Sequence, residues 1–267
     1  MPQASPPSAV GSLLVEPEWL ASRLDAEHLR IVDVRLAESF ADGHIPNAVH
    51  LDLNTLRAEH DGIEGMLITP EAFARIIGQM GVDADTTVVL YDDHHGMPAA
   101  RAAWSLLRYG HTRLALLDGG WNAWENGAFP ATQEVSFITP RRFGVVQAEQ
   151  YGADFVWVHA RLNHPDVILL DVRSNAEYAK GHLPGALLWD WENGANENST
   201  FRSAADLRAS LAHAGVTPDR EIVTYCQSGV RASHTFLLLK HLGFERVRMY
   251  DGSWAEWSSR GAEAERS

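Results

Sequence analysis

The sequence predicts an α/β protein made of two tandem, related domains, each a parallel sheet covered by helices on both faces. Two observations lead to this prediction: an ordered internal repeat, and short apolar segments that alternate with amphipathic ones. Strands that alternate with helices form parallel sheets, because the helical crossovers return the chain in the same direction and cover the sheet.

The internal repeat divides the chain into two halves. The segment IVDVRLAESFADGHIPNAVHLD at 31–52 returns as LLDVRSNAEYAKGHLPGALLWD at 169–190, which is an offset of 138 residues. Two further blocks return in the same order: 81–93 at 215–227, and 116–124 at 249–257. Three ordered matches indicate a duplicated and diverged domain.

The repeat also sets the domain boundaries that we expect. The linker region has no strong periodicity, and its TPRR segment marks a turn. The first residues, MPQASPPSAVGSLLV, lack the basic region of a signal peptide. We expect a disordered lead-in at 1–12, an N-terminal domain at 13–130, a linker at 131–150 and a C-terminal domain at 151–267.

Composition narrows the class of protein. A net charge of -13 argues against nucleic-acid binding, which needs a basic face for phosphates. One cysteine excludes an intramolecular disulfide and favours a reducing compartment, so we expect a cytoplasmic protein. The sequence has no run of 18 apolar residues, so no membrane span is expected. We expect a monomer, because two fused domains already bury each other's faces.

Within each half, the local pattern predicts the elements of the sheet and its helices. RIVDVR, TTVVLYD and RLALLDG are typical of buried strands, and EIVTYC and RVRMYDG are their partners in the second half. PEAFARIIGQMG and AADLRASLAHAG are amphipathic and predict helices. Thr69 before Pro70 predicts a helix start, and Ser174 with Glu177 fits a capping box.

The only cysteine, Cys226, ends the apolar segment EIVTYC and precedes the helical segment RASHTFLLLKHLG. A loop between a strand and a helix start turns consecutive backbone N–H groups inward and forms a site for anions. Gly229 permits the backbone angles of such a loop, and Arg231 can direct its guanidinium toward it. These features favour a thiolate over a thiol, and a thiolate at that place is a nucleophile.

The motifs together resemble the two-domain rhodanese sulfurtransferases. The resemblance rests on tandem DVR…GH.P units, a cysteine-centred loop in the second unit only, and DG.W..W after it, and it spans residues 13–260. It implies that the N-terminal domain is catalytically inactive, since Asp92 stands where the repeat places Cys226. It also implies a double-displacement reaction in which Cys226 takes a sulfur atom as a persulfide and an acceptor then removes it.

The resemblance implies a donor site around Cys226. Arg173 matches a family arginine that binds the anionic end of the substrate. A structural role is also expected for Arg35 and Arg173, with Asp33 and Asp171 connecting the strand end to the next loop. The expected substrate-binding residues are Arg173, Gln227, Ser228, Gly229, Val230 and Arg231. The family needs no metal and no organic cofactor, and we read the adjacent His94 and His95 as loop surface.

The identity of the donor stays open between thiosulfate and 3-mercaptopyruvate. Relatives specific for thiosulfate carry basic residues at the second and third loop positions, and the mercaptopyruvate enzymes carry Gly and Ser. Gln227 and Ser228 match neither of these pairs, and only Ser228 agrees with the mercaptopyruvate type. The positive charge of Arg231 favours thiosulfate. The expected partners are therefore a small anionic sulfur donor and an acceptor such as cyanide, a thiol or a thioredoxin-like protein.

Two other functions are less favoured. A persulfide carrier or regulatory module would load sulfur from a partner protein rather than turn over a small donor. A cysteine-dependent phosphatase needs a C-x5-R loop that closes around phosphate, whereas Cys226 and Arg231 have C-x4-R spacing. The shorter loop gives a tighter pocket that suits a single sulfur atom.

Overall fold

The computed structural model describes residues 12–266, so the lead-in expected at 1–12 lies outside the described residues except for its last position. Helices and strands alternate along the first half of the chain. Its elements are β1 Leu14–Val15, α1 Pro17–Ala21, β2 Leu29–Asp33, α2 Ala37–Asp42, β3 Ala48–His50, β4 Arg57–His60, β5 Ile63–Leu67, α3 Pro70–Gln79, β6 Thr87–Tyr91, α4 Met97–Arg108, β7 Leu114–Leu117 and α5 Gly120–Asn126.

The second half repeats this alternation. Its elements are β8 Gly152–Ala153, α6 Phe155–His159, β9 Val167–Asp171, α7 Asn175–Lys180, β10 Leu187–Leu188, α8 Ala204–His213, β11 Glu221–Tyr225, α9 Val230–His241, β12 Val247–Tyr250 and α10 Ser253–Ser259. Of the helices within residues 12–266, none is both long and apolar enough to cross a membrane.

Each half contains a five-stranded parallel sheet with the same strand order. The first sheet has the order β1-β7-β6-β2-β3, and the second, read from its other edge, has the order β8-β12-β11-β9-β10. The central strands β6 and β11 lie between two parallel neighbours, and every residue of β6 is buried. The predicted fold class, two tandem α/β domains with parallel sheets, is therefore confirmed.

The contacts divide the chain into two compact units that do not follow the sequence strictly. Unit 1 comprises residues up to 56, 68–147 and 198–200, and unit 2 comprises 57–67, 148–197 and the residues from 201 onward. The antiparallel hairpin of β4 and β5 thus belongs to unit 2, where the Leu67 N–H donates to the Asp251 carboxylate at 2.8 Å. The domain boundaries given above stay predictions.

Local signals in the sequence explain where several helices begin. Thr69 caps α3, with its hydroxyl accepting from the Ala72 N–H, and Pro70 is the first helical residue. Ser174 and Glu177 form a complete capping box at the start of α7. Both helix starts are confirmed as predicted.

A buried ion pair fixes the end of one strand in each unit. In unit 1 the Arg35 guanidinium donates to both oxygens of Asp33 and to the Gly43 carbonyl, at 2.6–3.0 Å. The Arg35 N–H and the Tyr91 hydroxyl also donate to the same carboxylate. Because Asp33 is fully buried, these donors replace the water that its charge loses on folding.

We predict that Asp33→Asn destabilises unit 1 by about 3–5 kcal/mol, because it leaves the buried Arg35 cation without its counter-ion. Urea denaturation followed by tryptophan fluorescence measures the change. The matched control is Asp25→Asn, an exposed aspartate in the same unit, which should change stability by less than about 0.5 kcal/mol. Equal effects of the two substitutions would show that the buried pair is not needed for stability.

Candidate functional site

Cys226 directly follows the central strand β11 and is 1% exposed. Its backbone is tied to the start of α10 on both sides of the residue. The Cys226 N–H donates to the Ser253 hydroxyl at 3.2 Å, and the Cys226 carbonyl accepts from the Trp254 N–H at 3.0 Å. The cysteine is therefore held in a fixed position relative to two helix starts, those of α9 and α10.

Ser253 is part of this site, and sequence reasoning missed it. It is fully buried, its φ is +51°, and its hydroxyl donates to the Tyr250 carbonyl at 2.8 Å while accepting from Cys226. A left-handed conformation in a residue with a side chain costs about 1–3 kcal/mol. The equivalent position in unit 1 is Gly120, with φ +55° and no hydroxyl. The hydroxyl that bonds to the cysteine backbone is therefore present in unit 2 and absent from the equivalent position of unit 1.

The loop after Cys226 leaves a row of backbone donors unused. Gly229 has φ +83° and precedes the first residue of α9. The N–H groups of residues 227–232 donate to no protein acceptor within the described residues 12–266. The N–H groups at a helix start carry a positive partial charge, so six successive donors without a protein partner form a place where an anion is favoured.

The corresponding loop of unit 1 shows how such donors bind an anion. Asp92 occupies the position of Cys226: it follows β6, and its carbonyl accepts from the Trp121 N–H at 2.8 Å. Its buried carboxylate accepts from the N–H groups of His94, Gly96 and Ala99 at 2.6, 3.0 and 2.9 Å. Burial raises the pKa of Asp92, and these three hydrogen bonds act in the opposite direction. A side-chain carboxyl group of the chain itself thus occupies this loop.

The two loops differ in length by one residue. Gly96 precedes α4 as Gly229 precedes α9, and both have a left-handed conformation. Four residues separate Tyr91 from Gly96, whereas three separate Tyr225 from Gly229. Counted from the helix start, Ala99 corresponds to Ala232, so the Ala232 N–H is a further candidate donor that lies beyond the predicted loop residues.

Arg231 lies beside Cys226 but is shared with a carboxylate. Its two terminal nitrogens donate to the two oxygens of Glu177 at 2.7 and 2.8 Å. This pairing is the main cause that raises the pKa of Arg231, and the neighbouring Cys226 side chain acts in the same direction. In return, the Arg231 guanidinium is the main cause that lowers the pKa of Glu177 to about 2. The capping residue Glu177 therefore has a second role that the sequence did not reveal.

Arg173 has a different environment from Arg231. It is 2% exposed, and its guanidinium donates to both oxygens of Asp171 and to the Gly181 carbonyl at 2.7–3.1 Å. The guanidinium also lies 4.7 Å from the ring centre of Trp254. This arrangement repeats that of Arg35 and agrees with the structural reading of the DVR motif. A role of Arg173 in donor binding stays a prediction.

The chain is similar to known proteins along nearly its whole length. The model of the rhodanese-like domain matches residues 16–127 and again 154–260. The thiosulfate sulfurtransferase of Pseudomonas aeruginosa is 33% identical over 255 residues, which cover 92% of this chain and 94% of that protein. The sulfur carrier protein TtuD of Thermus thermophilus is 34% identical over 269 residues, with the same two shares covered.

Two solved structures have a similar fold. The 3-mercaptopyruvate enzyme SseA of Escherichia coli superposes with a TM-score of 0.85 and 27% identity, covering 91% of this chain and 99% of that one. A complex of EanB with ergothioneine superposes with a TM-score of 0.88 and covers 95% of this chain and 70% of that one. Its 24% identity supports a shared fold and nothing further.

We predict that Cys226→Asp gives a more stable protein than Cys226→Asn, by about 1–3 kcal/mol, because the unused amides would bind the carboxylate as they do in unit 1. The aspartate and asparagine side chains have nearly the same shape and differ in charge, so the comparison isolates the effect of the negative charge on stability. Thermal unfolding at neutral pH measures it. An aspartate variant no more stable than the asparagine variant would show that the loop amides do not converge on the side chain at this position.

Proposed function

Because the chain belongs to the rhodanese family, we propose that it is a thiosulfate sulfurtransferase that carries sulfur to a thiophilic acceptor as a persulfide on Cys226. The observation that carries this proposal is the row of unused N–H donors at 227–232, beside the only cysteine of the chain. A nucleophile and donors for an anion at one helix start are what sulfur transfer between anions requires.

The proposed reaction has two displacements. The Cys226 thiolate attacks the outer sulfur of thiosulfate, a sulfur–sulfur bond forms on the cysteine, and the sulfur–sulfur bond of thiosulfate breaks to release sulfite. Cyanide or a thiolate then attacks the outer sulfur of the persulfide and restores the Cys226 thiolate. Each step conserves charge and needs no external oxidant or reductant. Ping-pong kinetics are expected, because the first product leaves before the acceptor reacts.

The loop of unit 1 supports a persulfide as the intermediate. The carboxylate oxygens of Asp92 lie two bonds beyond its Cβ, and the outer sulfur of a cysteine persulfide also lies two bonds beyond Cβ. The amides that bind Asp92 therefore correspond to donors at Gly229 and Ala232 that would hold the terminal sulfur anion. Hydrogen bonds to a charged atom are about twice as strong as those to a neutral one, so the loop favours the ionised persulfide.

The identity of the sulfur donor is a separate part of this proposal. Thiosulfate is favoured by the Arg231 cation and by the relatives named thiosulfate sulfurtransferase in Pseudomonas aeruginosa and Azotobacter vinelandii. A second candidate, 3-mercaptopyruvate, is favoured by Ser228 in the loop and by the similarity to SseA. Initial rates with the two donors at equal concentration distinguish these candidates. Loading of Cys226 by a desulfurase, with slow turnover of both donors, would instead favour a sulfur carrier similar to TtuD.

We predict that Cys226→Ser reduces cyanide-dependent formation of thiocyanate to the uncatalysed background, because no other thiol is present in the chain. Mass spectrometry of the wild-type protein after thiosulfate treatment should show one added sulfur atom on the peptide that contains Cys226. The serine variant should show none under the same conditions. Thiocyanate formation above background by the serine variant would exclude Cys226 as the nucleophile.

We predict that Arg231→Ala lowers kcat/KM for thiosulfate by about ten- to a hundredfold, the range for losing a hydrogen bond to a charged group. The rate of the second step with cyanide, measured on preloaded enzyme, should change less, because sulfite has already left. Arg248→Ala is the control, since it removes a similar pairing with Glu221 in the same unit. Equal kcat/KM for wild type and Arg231→Ala would remove Arg231 from the donor site.

A further inference from the structure

The carboxylate of Glu177 compensates the positive charge of Arg231 beside the candidate donor site. Glu177 binds both terminal nitrogens of the guanidinium, and the side chains of Arg231 and Glu177 are 23% and 33% exposed. The pair is thus accessible from solvent beside a cysteine that is almost fully buried. Any donor that reaches Cys226 past Arg231 meets the carboxylate of Glu177 as well as the guanidinium.

A second carboxylate adds to the negative charge of this surface. Asp190, which follows the short strand β10, is coupled electrostatically to both Arg231 and Glu177. Its carboxylate accepts from the Glu192 N–H at 3.2 Å, so it is oriented by the turn that follows it. The Arg231–Glu177 pair is therefore balanced in charge, and Asp190 adds a negative charge that acts on both of its partners.

We propose that Glu177 is a specificity residue that selects donors by charge: it lowers the preference of the site for dianionic thiosulfate relative to monoanionic sulfane donors of the organic thiosulfonate class. This inference rests on the proposed sulfurtransferase function. The repulsion by one carboxylate grows in proportion to the charge of the donor, so it weakens binding of a dianion more than binding of a monoanion. Glu177 also holds the guanidinium that would otherwise bind the second negative charge.

The reaction is the same for both donor classes. A thiosulfonate transfers its outer sulfur to the Cys226 thiolate, its sulfur–sulfur bond breaks, and an organic sulfinate leaves with one negative charge. Thiosulfate reacts in the same way and releases sulfite with two negative charges. The two donors therefore differ in charge at the end that faces Arg231 and Glu177, while the bond that breaks is of the same kind.

The substitution Glu177→Gln tests the charge and keeps the local structure. Glutamine at the third helical position can complete a capping box as glutamate does, so α7 should keep its start. Glutamine has nearly the same shape but only one acceptor oxygen, so it cannot pair each terminal guanidinium nitrogen with a separate oxygen as Glu177 does. The substitution therefore removes the repulsion and partly releases Arg231.

The measured quantity is the ratio of kcat/KM for thiosulfate to kcat/KM for benzenethiosulfonate. Removing the negative charge of Glu177 should raise kcat/KM about threefold for each negative charge on the donor. The expected rise is about tenfold for thiosulfate and about threefold for benzenethiosulfonate. Any change in the thiolate fraction of Cys226 multiplies both values equally and cancels in the ratio. We therefore expect Glu177→Gln to raise the ratio about threefold.

Glu221→Gln is the matched control. Glu221 forms an ion pair with Arg248 at 2.5 Å in the same unit, with side-chain exposures of 23% and 20%, and it begins the strand that Cys226 follows. This variant removes the same charge at the opposite end of β11 and should leave the ratio unchanged. An equal rise in both variants would attribute the effect to net charge and overturn a specific role of Glu177.

The other outcomes separate the two proposals. Turnover of both donors by the wild type with an unchanged ratio in Glu177→Gln would overturn the charge selection and leave the sulfurtransferase proposal intact. A fall in kcat/KM for both donors would assign Glu177 to positioning Arg231 and would also overturn the selection. Absence of turnover and of sulfur on Cys226 with either donor would overturn the proposed function itself, and this inference with it.

Discussion

The candidate site depends on one constraint: the backbone N–H groups at the start of a helix need an acceptor. In each unit these groups lie where the central strand passes into the following helix. A parallel sheet brings the end of a strand next to a helix start, and the first N–H groups of that helix cannot bond within the helix. In unit 1 the carboxylate of Asp92 satisfies three donors of this region. In unit 2 the same region is left with donors for an anion beside Cys226, and the chemistry that we propose follows from that difference.

Around these donors, each unit is held by an ion pair between a buried aspartate and a buried arginine at the end of a neighbouring strand. Asp171 with Arg173 repeats Asp33 with Arg35, including the bonds to the carbonyls of Gly181 and Gly43. These bonds use the Nε and Nη2 atoms of each arginine and fix its orientation at the strand end. Arg231, at the start of α9 and partly exposed, is paired instead with the partly exposed Glu177.

Much of this organisation could be predicted from the sequence because it is local or repeated. The alternation of apolar and amphipathic segments gave the parallel sheets, and the capping box at Ser174 was visible in four residues. The pairing of Glu177 with Arg231 was not predictable, because 54 residues separate them and the capping box already accounted for the glutamate. The left-handed Ser253 was missed because its hydrogen bond to Cys226 arises only when two loops meet.

The duplicated loops also show how one unit can have an aspartate in place of the cysteine and keep the fold. An aspartate in place of the cysteine removes the nucleophile and at the same time supplies the anion that the helix start favours. The loop that contains Asp92 also has one more residue before Gly96 than the Cys226 loop has before Gly229, so the two loops differ in backbone path as well as in this side chain. A cysteine at the same place leaves those donors without an acceptor among residues 12–266, and in the reaction that we propose an anion of the substrate or of the persulfide accepts from them. In that proposal, the ability to accept sulfur and the incomplete hydrogen bonding of the loop both follow from the cysteine.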